Sequence, residues 1–296
     1  MKLSIIVLNF NNKEIISKSL PLLQEIKKQI PSEIIVVDNA SQDSSAEMIK
    51  NNFPEVELIE NKKNIGFSAG NNLAIKKSKG KYLLFINGDI LVSSENILLL
   101  LKFLTKNKKI GIVTPKLELR SGKIDPDCHR GFPNPWAAFC YFSGLEKMFP
   151  KNRLFGQYHQ FYLNLDEFHQ IDACCGAFML VKREVGKQIS WWDESYFFYG
   201  EDLDFCYRAK QKGWQTFYYP KAKAIHYKGA SSGLRSETKD IKINRRIRLR
   251  STQESIKAME IFYNKFYKNK YPPWITKLVL LGIKLKGLTR IVTKFF

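Results

Sequence analysis

Three aspartates stand where an α/β protein does its chemistry. Asp38 follows the apolar run Ile34-Ile35-Val36-Val37, Asp89 follows Leu84-Phe85-Ile86-Asn87-Gly88, and Asp202 lies at the start of a helical stretch beginning near Glu201. In open parallel sheets, ligands collect at the carboxyl ends of strands. No Gly-x-Gly-x-x-Gly follows the first strand and no Walker-type Gly-Lys-Ser/Thr is present, so a phosphate is not expected in a glycine cradle. A divalent metal held by a carboxylate is the remaining way to neutralise it. Adjacent helical side chains diverge by about 100°, so Glu201 and Asp202 cannot do the same job. Leu203, Cys206 and Tyr207 share one face, expected to be the buried one; Glu201, Asp204, Phe205 and Arg208 lie opposite, with Asp202 on the flank. Each feature also has a plainer reading. Asp38-Asn39-Ala40-Ser41 is good turn chemistry, and Asn87-Gly88 is a strong turn signal. The acids near residue 201 suit a helix N-terminus, and Asp204–Arg208 reads as an i,i+4 pair. His226 by itself reads as a structural histidine, as do His129, His159 and His169.

The elements that must hold these residues alternate. Apolar strands are expected at Ser4–Leu8, Glu33–Val37, Glu57–Glu60, Tyr82–Ile86, Gly111–Thr114, Ala177–Val181 and Gln215–Tyr219. Helical patterns lie at Lys13–Lys28, Ser44–Asn51, Ser68–Lys77, Glu95–Lys106 and Glu201–Lys212. Strands alternating with helices imply an α/β fold with a mostly parallel sheet and right-handed crossovers. From about residue 118 to 172 the rhythm stops; residues 128–168 hold 11 aromatics, and Gly131-Phe132-Pro133-Asn134-Pro135 interrupts helix and strand alike. Such aromatics either stack on sugar rings and lipid chains or pack a subdomain.

Taken together, the motifs resemble a family 2 glycosyltransferase with the GT-A fold, of the rhamnosyltransferase-like branch. The matching pieces are Val37-Asp38-Asn39-Ala40-Ser41, Asn64 to Asn72, Asn87-Gly88-Asp89, Cys175-Gly176-Ala177-Phe178-Met179, Phe198 to Arg208, and His226 followed by Gly229 and Ser231, in the family's order over roughly residues 1–232. The resemblance implies that Asp38 receives the imide N–H of a uracil or thymine base, beside the Asn64–Asn72 loop with Asn64, Gly66 and Asn72. Asn87-Gly88-Asp89 resembles the family's Asp-x-Asp motif with Asn in first place. Asp89 would bind Mn²⁺ or Mg²⁺, Asn87 a ribose hydroxyl, and His226 would sit near the diphosphate and complete the metal shell. Gly176 would line the acceptor side, and Arg130 with Phe132-Pro133 resembles a piece found near the acceptor. Asp202 would be the general base, with Glu201 beside it at the substrate.

The 296 residues carry a net charge of +20. Beyond residue 220 lie 19 Lys or Arg against 4 Asp or Glu, so about +15 of that charge belongs to the tail. The expected organisation is a catalytic domain over residues 1–232, with the aromatic insertion, and a basic helical extension over 233–296. Ile241–Arg250 is a dense basic run, and Trp274, Leu278, Leu281, Leu285, Leu288, Val292 and Phe296 form one helical stripe. That stripe either lies in a membrane interface or packs on its own domain. No apolar run spans a bilayer, the N-terminus reads as a strand rather than a signal peptide, and five unpatterned cysteines suit a reducing cytosol. The expectation is an inverting, metal-dependent enzyme moving a sugar from a UDP- or dTDP-sugar to a saccharide or lipid-linked acceptor in surface polysaccharide synthesis. It would sit peripherally at the cytoplasmic face of the membrane, on anionic lipid, with no nucleic-acid partner. Two rivals predict otherwise: a non-catalytic nucleic-acid or membrane binder, and a nucleotidyltransferase, which usually needs a basic, glycine-rich loop where Asn9-Phe10-Asn11-Asn12 stands.

Overall fold

The computed structural model describes residues 1–228 and 245–295. Strand β1 (Leu3–Asn9) is followed by α1 (Lys13–Gln24), β2 (Ser32–Asp38), α2 (Ser45–Asn52), β3 (Glu57–Glu60), α3 (Phe67–Lys77) and β4 (Tyr82–Asn87). All neighbouring pairs among β1 to β4 are parallel, in the spatial order β3-β2-β1-β4. These strands are near-continuous apolar runs because helices cover both faces of a parallel sheet. In β1, β2 and β4 nearly every apolar side chain is buried.

Beyond β4 the sheet becomes mixed. The chain adds β5 (Ile90–Leu91), α4 (Ser94–Lys106), β6 (Ile110–Leu119), α5 (Pro135–Ser143), α6 (Leu145–Met148), β7 (His169–Ile171), β8 (Phe178–Lys182), α7 (Arg183–Ile189), α8 (Glu201–Gln211) and β9 (Gln215–His226). The order continues β4-β8-β6-β9-β5, with β7 also on β9. β8 runs antiparallel to both β4 and β6, whereas β6 and β9 are parallel. The short antiparallel pair β5–β9 sets Ile90 opposite His226, and Tyr227 N–H donates to the Asp89 carbonyl at 2.9 Å. Asp89 and His226, 137 positions apart, are thereby fixed side by side.

Within the aromatic insertion, the residues expected to break structure instead start a helix. Asn134 caps α5 by accepting from Ala137 N–H at 2.9 Å, and Pro135 takes the first helical position, where its missing N–H costs nothing. The chain then forms α9 (Arg245–Phe266) and α10 (Pro273–Phe295), broken at Pro272-Pro273 as the sequence indicates. Helix α9 is anchored on the core. Phe262 and Phe266 pack on Tyr207 of α8, and Lys265 Nζ reaches Asp204 at 2.6 Å and Asp193 at 2.5 Å. The boundary expected near residue 232 lies outside the described residues, as do Gly229 and Ser231.

This packing corrects the face assignment on α8. Asp204 and Phe205, expected opposite the buried face, are both fully buried, and Glu201 is buried too. Phe205 packs on Phe85 of β4 and on Trp192, and Lys265 of α9 reaches Asp204, contacts that the periodicity of α8 by itself could not register. The expected Asp204–Arg208 ion pair is present. Helix α10 packs on α9, with Val279, Leu280 and Ile283 in or against the hydrophobic core, while Trp274, Leu278, Leu281, Leu285 and Leu288 of its stripe are each more than half exposed; the side chains of Val292 and Phe296 lie outside the described residues. No helix among the described residues is long and apolar enough to cross a membrane.

Candidate active site

A cavity of about 1210 Å³ opens at the carboxyl ends of β1 and β4 and continues between α5, α8, α9 and α10. Asn64, Gly66, Asn87, Asp89, Gly176, Glu201, Asp202 and His226 all line it. Asp38 and Asn72 do not. Asp38 ends β2 with its carboxylate accepting from Asn9 Nδ2 at 2.8 Å, Ser41 N–H at 2.8 Å and Ser41 Oγ at 2.6 Å. Asn9, which shares those bonds, faces the cavity in its place. Asn72 is a strut: its amide donates to the Trp192 carbonyl and to Glu194, and accepts from Trp192 N–H.

The glycines are required by close approach. Gly66 has φ +90°, and a Cβ there would lie 2.5 Å from the Phe197 carbonyl, a conformation and a clash only glycine avoids. At Gly176 a Cβ would meet the Phe67 ring at 2.7 Å. Its freed backbone N–H donates to Asp202 Oδ2 at 3.1 Å.

One polar cluster gathers around Asp89. Asp89 Oδ1 is buried with no hydrogen-bond partner, and His226 Nε2 stands 3.7 Å from it, too far for a hydrogen bond. His226 Nδ1 lies 2.7 Å from Asp125 Oδ2. Asp125 also pairs with Lys228, which reaches Asp127 at 2.5 Å. Burial raises the Asp125 carboxyl, but the His226 hydrogen bond and the Lys228 charge outweigh it, leaving Asp125 below its ordinary value. An ionised Asp125 makes Nδ1 the donor, so in the neutral ring the lone pair belongs to Nε2, the nitrogen on the side of Asp89. A carboxylate that fixes the tautomer of a histidine is the usual outer support of a metal-ligating imidazole. Burial, partly offset by His226, raises the Asp89 carboxyl. An orphaned buried carboxylate oxygen beside a free imidazole nitrogen fits a divalent cation. Among the described residues no cluster of three or more such ligands exists, so the remaining positions would fall to phosphate oxygens and water.

The second cluster surrounds Asp202. Arg130 Nη2 donates to Asp202 Oδ2 at 2.7 Å and to the Cys174 carbonyl at 3.0 Å, while Leu203 N–H donates to Asp202 Oδ1 at 2.7 Å. Glu201 is different: its Oε2 is buried and unpartnered. Burial, reinforced by the Asp202 charge, holds its carboxyl well above the ordinary range. The two neighbouring carboxyls thus differ: Asp202 is held by three donors, whereas Glu201 keeps a buried oxygen without a partner.

The family model for "Glycosyl transferase family 2" matches residues 4–189, more than half of the chain. The chain belongs to this family. The GT-A fold expected from the sequence is the fold observed. This glycosyltransferase is 25% identical over 214 residues to the N-acetylglucosaminyl-diphospho-decaprenol L-rhamnosyltransferase of Mycobacterium tuberculosis, covering 69% of each chain. It is 30% identical over 172 residues to the rhamnosyltransferase WbbL of Escherichia coli, covering 55% of this chain and 61% of WbbL. Among solved structures, the mannosyltransferase PcManGT of Pyrobaculum calidifontis, in complex with GDP-Man and Mn²⁺, superposes with a TM-score of 0.58 at 15% identity. That match covers the whole of this chain and 76% of PcManGT. GalNAc-T7, solved with UDP, GalNAc and Mn²⁺, has a TM-score of 0.56 at 15% identity over 76% of this chain, which spans 44% of it.

Sequence reasoning missed Asp125, Asp127 and Lys228 and gave Arg130 no partner. Asp125 lies in the irregular stretch after β6, where only the reverse turn at Ser121-Gly122 and the Pro126 that follows signal a fixed backbone. In the glycosyltransferase its N–H donates to the Leu117 carbonyl at 2.8 Å and its side chain caps the turn Pro126–Cys128. The three histidines left structural remain outside the cavity lining. His159 pairs with Glu146 at 3.0 Å and His169 with the Glu167 carbonyl at 2.9 Å.

His129 carries a stability prediction. It is fully buried against Phe161, His169 and Tyr218, with neither ring nitrogen partnered. Burial, helped by the His169 charge, pushes it from 6.5 down to about 4. Between those values the unfolded chain binds a proton that the folded chain refuses, so stability is lost as pH falls through the window. The loss reaches about 3 kcal/mol at the acid end. His129→Phe should flatten the melting temperature between pH 6.5 and 4; an unchanged slope would remove His129 from the account.

Proposed function

We propose that this glycosyltransferase moves a sugar from a nucleotide-sugar donor to a lipid-linked saccharide in cell-surface polysaccharide synthesis, with inversion at the anomeric carbon. The observation that carries the reading is the single cavity lined by both Asp89–His226 and Asp202. A leaving diphosphate and a proton-accepting carboxylate are thereby offered to one substrate pair. The base of a UDP- or dTDP-sugar would lie toward Asn9, Asn39 and Asn64, with Asp38 acting on it directly or through Asn9, and Asn87 toward the ribose. Asp89 and His226 would hold Mn²⁺ or Mg²⁺, which supplies charge neutralisation at the diphosphate. Asp202 takes the proton of the acceptor hydroxyl as that oxygen bonds to the anomeric carbon, and the carbon–oxygen bond to the diphosphate breaks with its electron pair leaving on the diphosphate. Arg130 and the Gly176 N–H hold Asp202 in place for this. Burial raises the Glu201 carboxyl well above its ordinary range, which disfavours it as a carboxylate nucleophile and suits it to hydrogen-bond a substrate hydroxyl, in keeping with one direct displacement. A thermal-shift screen of nucleotide sugars with Mn²⁺ tests the reading: a specific donor raises the melting midpoint. No response to any uracil or thymine nucleotide would overturn the donor assignment.

The basic tail and the exposed α10 stripe support a peripheral position on an anionic membrane. Each Lys or Arg near such a surface contributes about 1 kcal/mol, and the stripe adds apolar insertion that salt does not screen. High salt should therefore release only part of the enzyme from anionic vesicles. Replacing Trp274, Leu281 and Leu288 by Ser should make it fully releasable. Full release of the unaltered enzyme by salt would restrict the contact to charge.

A further inference from the structure

The cavity has two kinds of wall. Strand ends supply the polar wall described above. α5 and the α9–α10 pair supply an apolar one, with Phe139, Phe142, Met259, Leu278, Ile283 and Leu285. Its volume of about 1210 Å³ exceeds the roughly 300–1,000 Å³ usual for a small-ligand pocket. The apolar wall is also open to the outside. Phe139, Leu278 and Leu285 are each 53% exposed or more, and they continue into the exposed Trp136 of α5 and Leu281 of α10. Cations stand along the same wall. Lys286 Nζ and the Arg290 guanidinium lie 5.4 and 5.9 Å from the centre of the Phe142 ring, and Arg250 lies 3.8 Å over Phe197. Neither Lys286 nor Arg290 pairs with a carboxylate among the described residues, and on α9 and α10 the lining holds these three cations against the single acid Glu254.

A ligand matching this wall has an anion beside a long apolar chain, and the chain must leave the cavity toward an apolar surface. We propose that the α5–α10 wall binds the proximal isoprenoid chain of a lipid diphosphate acceptor, with Lys286 and Arg290 against its diphosphate. This rests on the lipid-linked reading of the acceptor. It adds where the lipid sits and how it enters: laterally, between Phe139 on α5 and Leu278 and Leu285 on α10, from the membrane on which the stripe lies. The hydroxyl to be glycosylated then reaches Asp202 while the chain stays in an apolar medium. Gly282 offers a direct probe. It lines the cavity, and a Cβ added there would meet nothing within 4 Å, so a side chain can be started there toward the proposed path. A helix interior also accepts Phe better than Gly.

The test uses farnesyl diphosphate, farnesol and inorganic diphosphate, titrated into the full-length enzyme by calorimetry below the concentration at which the lipid forms micelles. Farnesyl diphosphate should bind at least tenfold more tightly than either farnesol or inorganic diphosphate. Gly282→Phe should weaken farnesyl diphosphate at least tenfold and leave inorganic diphosphate unchanged. Joint replacement of Lys286 and Arg290 by Gln should weaken farnesyl diphosphate similarly and leave farnesol unchanged. Equal affinity of farnesyl and inorganic diphosphate, or wild-type affinity for farnesyl diphosphate in the Gly282→Phe enzyme, would overturn the proposal. UDP and dTDP binding with Mn²⁺, measured on the same samples, separates the two readings. Nucleotide binding without lipid discrimination sinks the lipid site alone, whereas loss of nucleotide binding in the unaltered enzyme sinks the proposed reaction.

Discussion

In an Asp202→Asn enzyme, kcat for sugar transfer should fall by about a hundredfold or more, with nucleotide binding in Mn²⁺ retained. The substitution keeps the shape that fits between Arg130, Gly176 and Leu203 and removes the capacity to accept the acceptor's proton. It also removes the counter-charge of Arg130, whose guanidinium is buried and reaches Asp202 at 2.7 Å. Breaking one side of a buried ion pair typically costs about 3–5 kcal/mol, so melting temperature must be followed beside activity. Arg130→Gln separates the two effects. It leaves the base in place but loosens it, so kcat should fall less than in Asp202→Asn, while the loss of stability should be similar. If Asp202→Asn lost donor affinity in proportion to kcat, Asp202 would belong to the donor site. If it retained full turnover, the orphaned Glu201 carboxyl would become the candidate base.

Asp89→Ala should abolish both transfer and the metal-dependent part of nucleotide binding, because under the proposed reading it deletes the charged one of the two residues that would hold the metal. His226 alone, held by Asp125, would bind a divalent cation too weakly to keep it beside a diphosphate. Asp125→Asn should act more mildly, weakening metal affinity by about 10–100-fold, since it releases the tautomer of His226 without removing a ligand. The pH dependence has a definite sign. Metal must displace any proton on Asp89, and burial has raised that carboxyl. Mn²⁺ affinity should therefore decline on acidification earlier than for an exposed aspartate. Full transfer activity in EDTA would exclude the metal reading of Asp89 and His226 together.

The distribution of the site along the chain explains how much of it local sequence discloses. Asp89 and Asp202 are visible because each closes a local signal: an apolar run that can only be a buried strand, and an acidic pair that can only start a helix. The glycines at 66 and 176 are visible as members of motifs, though the reasons for them, the Phe197 carbonyl and the Phe67 ring, are contacts across the fold. The same holds for α5, whose Asn134-Pro135 start reads as a break until the following residues are seen to have room for a helix.

Local sequence by itself determined the α/β class, the strands that lead to Asp38 and Asp89, the Asp204–Arg208 pair and the amphipathic stripe of α10. Those follow from periodicity and short-range chemistry, which act within a few residues. Only the tertiary structure decided that Asp125 orients His226 across 101 positions, that Arg130 holds Asp202 across 72, and that Asn72 serves as a strut. It alone decided that both faces of α8 are buried while the stripe of α10 is not. The physical reason is that such pairings depend on where the β5–β9 and β6–β9 registers and the α8–α9 contact bring distant backbone, and no local pattern of side chains encodes that distance.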